Sequence, residues 1–228
     1  MNGGAVEHTF VFADLAGFTA MTEAMGDTPA ADVAATFCEQ IEAVAPELGV
    51  VPIKRIGDAV MLRSDHAEGA IRLGLHAAHA IGDSHYLPTV RVGMHTGPAV
   101  ERGGDWFGGA VNLAARVSAA AGGSEVLLTE ATRAAAGEIE GIDLHERGRR
   151  ELHNVRSPVS LYAAVPTGEH DRKGLPIDPV CRMAVDPEHS AGSLTHDGTE
   201  HHFCSLECVS KFAAHPERYV KGSSRCPS

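Results

Sequence analysis

Apolar positions along this chain switch between two periods, and the switches mark out its elements. From His8 to Phe12 the residues are β-prone, and they run into Asp14-Leu15-Ala16-Gly17-Phe18-Thr19, where a strand gives way to a turn and a helix. An acid therefore stands at a strand end. Val33, Phe37, Ile41, Val44 and Leu48 recur at three- and four-residue spacing, which predicts an amphipathic helix with one buried stripe, stopped by Gly49. Val50 to Arg55 and Ala59 to Leu62 flank Ile56-Gly57-Asp58, the pattern of a hairpin whose tip carries a second acid.

An Ala-rich helix from about Ala67 to Ile81 leads to a strand over Thr89 to Met94, then to a Gly-rich stretch and a helix beginning near Gly109. The order β-α-β-β-α-β predicts an α+β domain of ferredoxin-like type with an antiparallel-centred sheet, rather than a doubly wound parallel one. A strand near Glu125 to Thr129 and a closing hairpin of Arg149 to Leu152 with Ser160 to Val165 are expected to complete it. The segment Thr167-Gly168-Glu169-His170-Asp171-Arg172-Lys173-Gly174 is polar and aperiodic, as a linker is. The expected organisation is a main domain over 1–166, a linker over 167–176, a small Cys-containing α+β module over 177–221 and a disordered tail over 222–228.

Length and charge narrow the function. With 228 residues there is room for one ordinary core and an appendage. Net charge is −11 and no Lys/Arg-rich run occurs, which argues against a nucleic-acid or anionic-membrane surface. Met1 to Val6 lacks the features of a signal peptide and no apolar stretch is long enough to span a bilayer, so the expected location is cytoplasmic. Of five cysteines, Cys38 stands alone, while Cys181, Cys204, Cys208 and Cys226 crowd the last quarter of the chain. In a reducing compartment such crowding points to metal or redox chemistry before disulfides.

Taken singly, Asp14 and Asp58 are ordinary turn acids. In combination, Phe12-Ala13-Asp14-Leu15-Ala16-Gly17-Phe18-Thr19, Lys54-Arg55-Ile56-Gly57-Asp58 and Asp105-Trp106-Phe107-Gly108-Gly109-Ala110-Val111-Asn112-Leu113-Ala114-Ala115-Arg116 resemble the catalytic motifs of class III nucleotide cyclases, over roughly residues 8 to 165. Arg91-Val92-Gly93-Met94-His95-Thr96-Gly97, another hallmark, lies between the second and third. The resemblance implies that Asp14 and Asp58 hold two divalent cations, Mg²⁺ or Mn²⁺, hard ions that prefer carboxylate oxygens shared with phosphates. Main-chain amides of Leu15, Ala16, Gly17 and Phe18 would add phosphate contacts. Asn112 and Arg116, four apart on a helix and hence on one face, would orient the ribose and stabilise the charge growing on the α-phosphate.

Lys54 and Asp105 resemble the base-selecting pair. Adenine N1 accepts from an ammonium and its exocyclic amine donates to a carboxylate, whereas guanine shows the opposite pattern. The expected activity is that of an adenylate cyclase, converting ATP to 3′,5′-cyclic AMP and pyrophosphate. The resemblance further implies that the acids come from one protomer and the other four residues from its partner, so that a homodimer builds two sites. The competing expectation is a catalytically silent sensor that uses the cyclase fold to bind nucleotide or metal.

Asp178-Pro179-Val180-Cys181-Arg182-Met183 and Phe203-Cys204-Ser205-Leu206-Glu207-Cys208 resemble YHS or TRASH-like metal-binding modules. Cys181, Cys204 and Cys208 would then supply thiolates to Zn²⁺ or Cu⁺, with His201, His202 or Cys226 as the open choice for a fourth ligand. Arg182 and His201-His202 depart from the usual pattern of such modules. Covalent linkage suggests that this module modulates the cyclase.

Overall fold

A computed structural model describes residues 7–81, 89–168, 176–180, 185, 187, 190–203 and 206–220. The linker for the most part, Cys181, Cys204 and the C-terminal tail fall outside the described residues.

Strand β1 (Glu7–Leu15) is flanked by β3 (Ala59–Ser64) and β4 (Val90–Pro98), both antiparallel to it. Beyond β3 lies the edge strand β2 (Val50–Ile56). On the other side β7 (Val126–Thr129) runs parallel to β4, followed by β9 (Val159–Pro166) and the opposite edge, β8 (Ile142–Arg150). The resulting seven-stranded sheet is the expected α+β arrangement.

Alternation along β1 decides which helix covers which face. Val11, Ala13 and Leu15 share a buried cluster with Phe37 and Ile41 of α2 (Asp27–Val44) and Ile71 and Leu73 of α3 (Ala67–His76). Phe10 and Phe12 point the other way and pack with Met61 against Ala110, Val111 and Ala114 of α4 (Gly109–Ala120). Asp14 has the parity of Phe10 and Phe12. Helix α1 (Phe18–Met25) is separated from α2 by Gly26, whose φ of 87° lets the chain turn between two helices. Close approach of α4 depends on Gly93, since a Cβ there would stand 1.8 Å from the Ser118 amide nitrogen.

The closing hairpin differs from expectation. Its first strand spans Ile142–Arg150 rather than Arg149 to Leu152, and Leu152 instead packs with Val117, Leu127 and Leu161. Strand β8 is an edge whose register slips between Glu146 and Gly148, so its alternation is broken and mostly polar. Two further elements lie outside the sequence expectation. One is α5 (Glu130–Ala136); the other is a hairpin of β5 (Val100–Arg102) and β6 (Asp105–Phe107), turning at Gly103-Gly104. Strands three residues long carry no legible period.

In the C-terminal module β10 (Gly192–His196) and β11 (Thr199–Phe203) form a hairpin, and α6 (Leu206–Ala214) packs Cys208 and Phe212 against Phe203. No helix among the described residues is long and apolar enough to cross a membrane.

Candidate active site

Asp14 lies at the end of β1, in register with Ala59 of β3 on one side and Arg91 of β4 on the other. Asp58 immediately precedes Ala59 at the β2–β3 tip, where Gly57 takes a φ of 62°. Neighbouring strands lie about 4.8 Å apart, so hairpin pairing alone brings the two acids together. Burial pushes the Asp14 carboxyl above the usual carboxylate range, against the hydrogen bond and charge of Arg91. Burial also raises Asp58, opposed by a backbone hydrogen bond, and the charge on Asp14 adds to the rise. Two half-sheltered carboxylates, both made harder to ionise by burial and Asp58 further by the charge on Asp14, are a fitting donor set for hard divalent cations.

Arg91 Nε donates to Asp14 Oδ1. Sequence reasoning gave Arg91 no individual role, although a charged residue opening an otherwise apolar strand was the available signal. At the start of α1 the Ala16 amide is engaged by the Thr89 carbonyl at 2.7 Å. The amides after Gly17, the left-handed N-cap, are helix-start donors of the ordinary kind.

Lys54 of β2 and Asp105 of β6 meet although 51 residues apart: Nζ donates to Oδ2 at 2.5 Å. Asp105 Oδ1 accepts the Trp106 amide at 2.8 Å. Those hydrogen bonds, Lys54 first, hold Asp105 below the usual carboxylate range. Phe107 lies under the ammonium, 5.9 Å from Nζ to its ring centroid.

Asn112 and Arg116 are exposed on α4 and line a groove of about 490 Å³ with His153, Asn154, Val155 and Arg156 of the β8–β9 loop. Neither Asp14 nor Asp58 belongs to that groove. The loop wall, with a second guanidinium at Arg156, was not singled out from sequence, because only the packing of the loop beside α4 brings it there. In the C-terminal module, Nδ1 of His202 is buried without a hydrogen-bond partner among the described residues. Cys208 is buried beside Phe203 and Phe212.

The sheet, the paired acids and the Lys54–Asp105 contact define a nucleotide-cyclase type of domain, and residues 5–164 match the family model of the adenylate and guanylate cyclase catalytic domain. The chain belongs to that family. Residues 177–223 match the YHS domain model. A pH-sensitive adenylate cyclase of Mycobacterium tuberculosis is 34% identical over 165 residues, covering 70% of this chain and 41% of the relative. The chain thus spans about two fifths of that relative's length. A copper-transporting P-type ATPase of Rhizobium leguminosarum bv. viciae is 54% identical over 43 residues, 19% of this chain and 5% of the ATPase. Among solved structures, an adenylate cyclase of Trypanosoma brucei in its monomeric state superposes with a TM-score of 0.66 at 21% identity, covering 73% of this chain and 91% of that one.

Proposed function

We propose that this protein is an adenylate cyclase, forming 3′,5′-cyclic AMP and pyrophosphate from ATP at composite sites of a homodimer. The observation that carries the reading is the Lys54–Asp105 contact, an ammonium and a carboxylate held side by side from two separate elements. Together they offer one donor and one acceptor, the complement of adenine N1 and the 6-amino group and a mismatch for guanine. Adenylate cyclase relatives in Mycobacterium tuberculosis and Streptomyces griseus, the latter 33% identical over 118 residues, support the same substrate.

Asp14 and Asp58 would hold two Mg²⁺ or Mn²⁺ ions, which when bound lower the barrier by activating the ribose 3′-hydroxyl and neutralising the triphosphate. The rest of the work falls to side chains and amides of the protein. Lys54 and Asp105 bind and select the base. Asn112 holds the ribose, and the Arg116 guanidinium, exposed and aimed into the groove, meets the charge that grows on the α-phosphate as the 3′-oxygen attacks. Helix-start amides following Gly17 add donors to phosphate oxygens. Separation of the acids from the groove of Asn112 and Arg116 supports their completion by a second copy.

The YHS domain is read as a metal-responsive regulator using Cys181, Cys204 and Cys208 with Zn²⁺ or Cu⁺, and the buried His202 nitrogen supports a nitrogen ligand there. The test is turnover: the purified chain with ATP and Mg²⁺ or Mn²⁺, with cyclic AMP and pyrophosphate followed and GTP as competitor. Metal-dependent cyclic AMP that vanishes in Asp58→Ala is the expected result. Absence of product at concentrations that ensure dimers would overturn the reading in favour of a silent sensor.

A further inference from the structure

Asp105 stands on a weak support. The β5–β6 hairpin has three residues in each strand, turns through two positive-φ glycines, and pairs with no strand of the main sheet. Two-stranded ribbons of that size are not stable alone. Val100 and Phe107, a cross-strand pair, are 58% and 52% exposed and so give it little anchorage. The exposed Lys54–Asp105 ion pair gives little more.

What ties the hairpin down is the Trp106 side chain. Its indole packs in the Phe10–Met61 cluster, with the Phe10 ring 5.6 Å away. The His8 ring meets it edge-on at 4.7 Å and 75°, and the Arg63 guanidinium lies over it at 5.1 Å. Both clamping groups are themselves fixed: Arg63 donates to Asp65, and His8 Nδ1 lies 2.7 Å from the same carboxylate oxygen. His8 Nδ1 also lies 2.8 Å from the same Arg63 nitrogen, so His8 of β1, Arg63 of β3 and Asp65 form one polar cluster that joins the two strands beneath the indole. The Trp106 amide in turn donates to Asp105 Oδ1, leaving Oδ2 to Lys54.

We propose that Trp106, clamped by Arg63 and His8, is the positioning residue that aims the Asp105 carboxylate and so sets base selectivity. It touches neither substrate nor metal in this assignment; it acts through its neighbour. The inference rests on the reading of Asp105 as a contact to adenine. Because the base contact is made equally before and during reaction, loosening it raises KM for ATP and leaves kcat nearly unchanged.

The experiment compares kcat/KM for ATP and GTP in wild type, Asp105→Ala, Trp106→Ala, the double variant and Trp106→Phe. Expected is a fall of about tenfold in the ATP:GTP ratio for Trp106→Ala, carried by KM, substantial recovery in Trp106→Phe, and a double variant no worse than Asp105→Ala. If Asp105→Ala leaves the ratio unchanged, the adenine-contact reading fails and takes this inference with it. If Asp105→Ala relaxes selectivity but Trp106→Ala does not, or the two effects add, the positioning role alone is overturned. Should Trp106→Ala fail to fold, Arg63→Met keeps the ring and removes the cation. A folded Arg63→Met lowers the ratio about threefold by the same logic, and an unchanged ratio there refutes the clamp.

Discussion

Composite sites make a quantitative prediction about mixtures. Asp58 lies at the β2–β3 tip with Asp14, whereas Arg116 lies on α4 in a groove walled by the β8–β9 loop. Asp58→Ala removes half of the carboxylate pair, and Arg116→Ala removes the cation proposed to meet transition-state charge. Either change alone should lower kcat by about 10²–10³, the usual loss for one electrostatic stabiliser. In the proposed homodimer each protomer would lend its acids to one site and its arginine to the other. A heterodimer of the two variants therefore carries one site with both defects and one with neither. When equal amounts exchange freely, about half of the dimers are mixed and half of their sites are intact, so activity returns to about a quarter of wild type. The assay is cyclic AMP formation against mixing ratio, with sedimentation to establish exchange. Asp58→Ala mixed with Asp14→Ala is the control, because both defects fall in the same half of the site. A mixture of Asp58→Ala and Arg116→Ala that stays inactive after exchange, or a control pair that recovers, would refute the two-protomer site.

Other consequences follow from packing and charge. Gly93→Ala drives a methyl into the α4 backbone at Ser118, where no flexible side chain can yield, so a loss of at least about 1–3 kcal/mol is expected in urea unfolding. Phe37→Ala empties the centre of the cluster between α2 and the sheet and should cost about 3–5 kcal/mol by the same measurement. Burial holds the His95 imidazole, bonded to Thr129 Oγ1 at 2.7 Å, below its ordinary pKa. The unfolded chain then binds the proton first, so stability present near neutrality is lost as pH falls below about 6.5 toward the folded value. Melting temperatures between about pH 7.5 and pH 5.5 should fall more steeply for wild type than for His95→Asn, and parallel curves would refute this. Cys208→Ser should reduce the zinc or copper content of the purified chain measured by mass spectrometry, while Asp58→Ala leaves it unchanged.

Much of this protein was legible in the order of its residues. The period of Val33, Phe37 and Ile41 marked α2, because burial on one face leaves a repeat that survives without coordinates, and the β-prone run from His8 to Phe12 marked β1. Asp14, Asp58, Asn112 and Arg116 stood out in combination, through the resemblance of their three motifs to those of class III cyclases, since a strand-end or hairpin-tip acid by itself is an ordinary turn residue. Fold class followed from element order.

Other features depend on segments far apart in the chain. No period announces β5 and β6, and a register slip at Glu146–Gly148 blurs the repeat of β8. Arg91 reaches Asp14 from 77 residues away, and Arg156 stands beside Arg116 only because the β8–β9 loop packs on α4. Trp106 read as one member of a motif, yet His8, Phe10 and Arg63 converge on it from β1 and β3. Local periodicity reports which side of an element is buried, since that depends on the repeat alone. It does not report which distant charge or ring arrives there, since that is decided by strand order and by the close approach that Gly93 permits between α4 and the sheet.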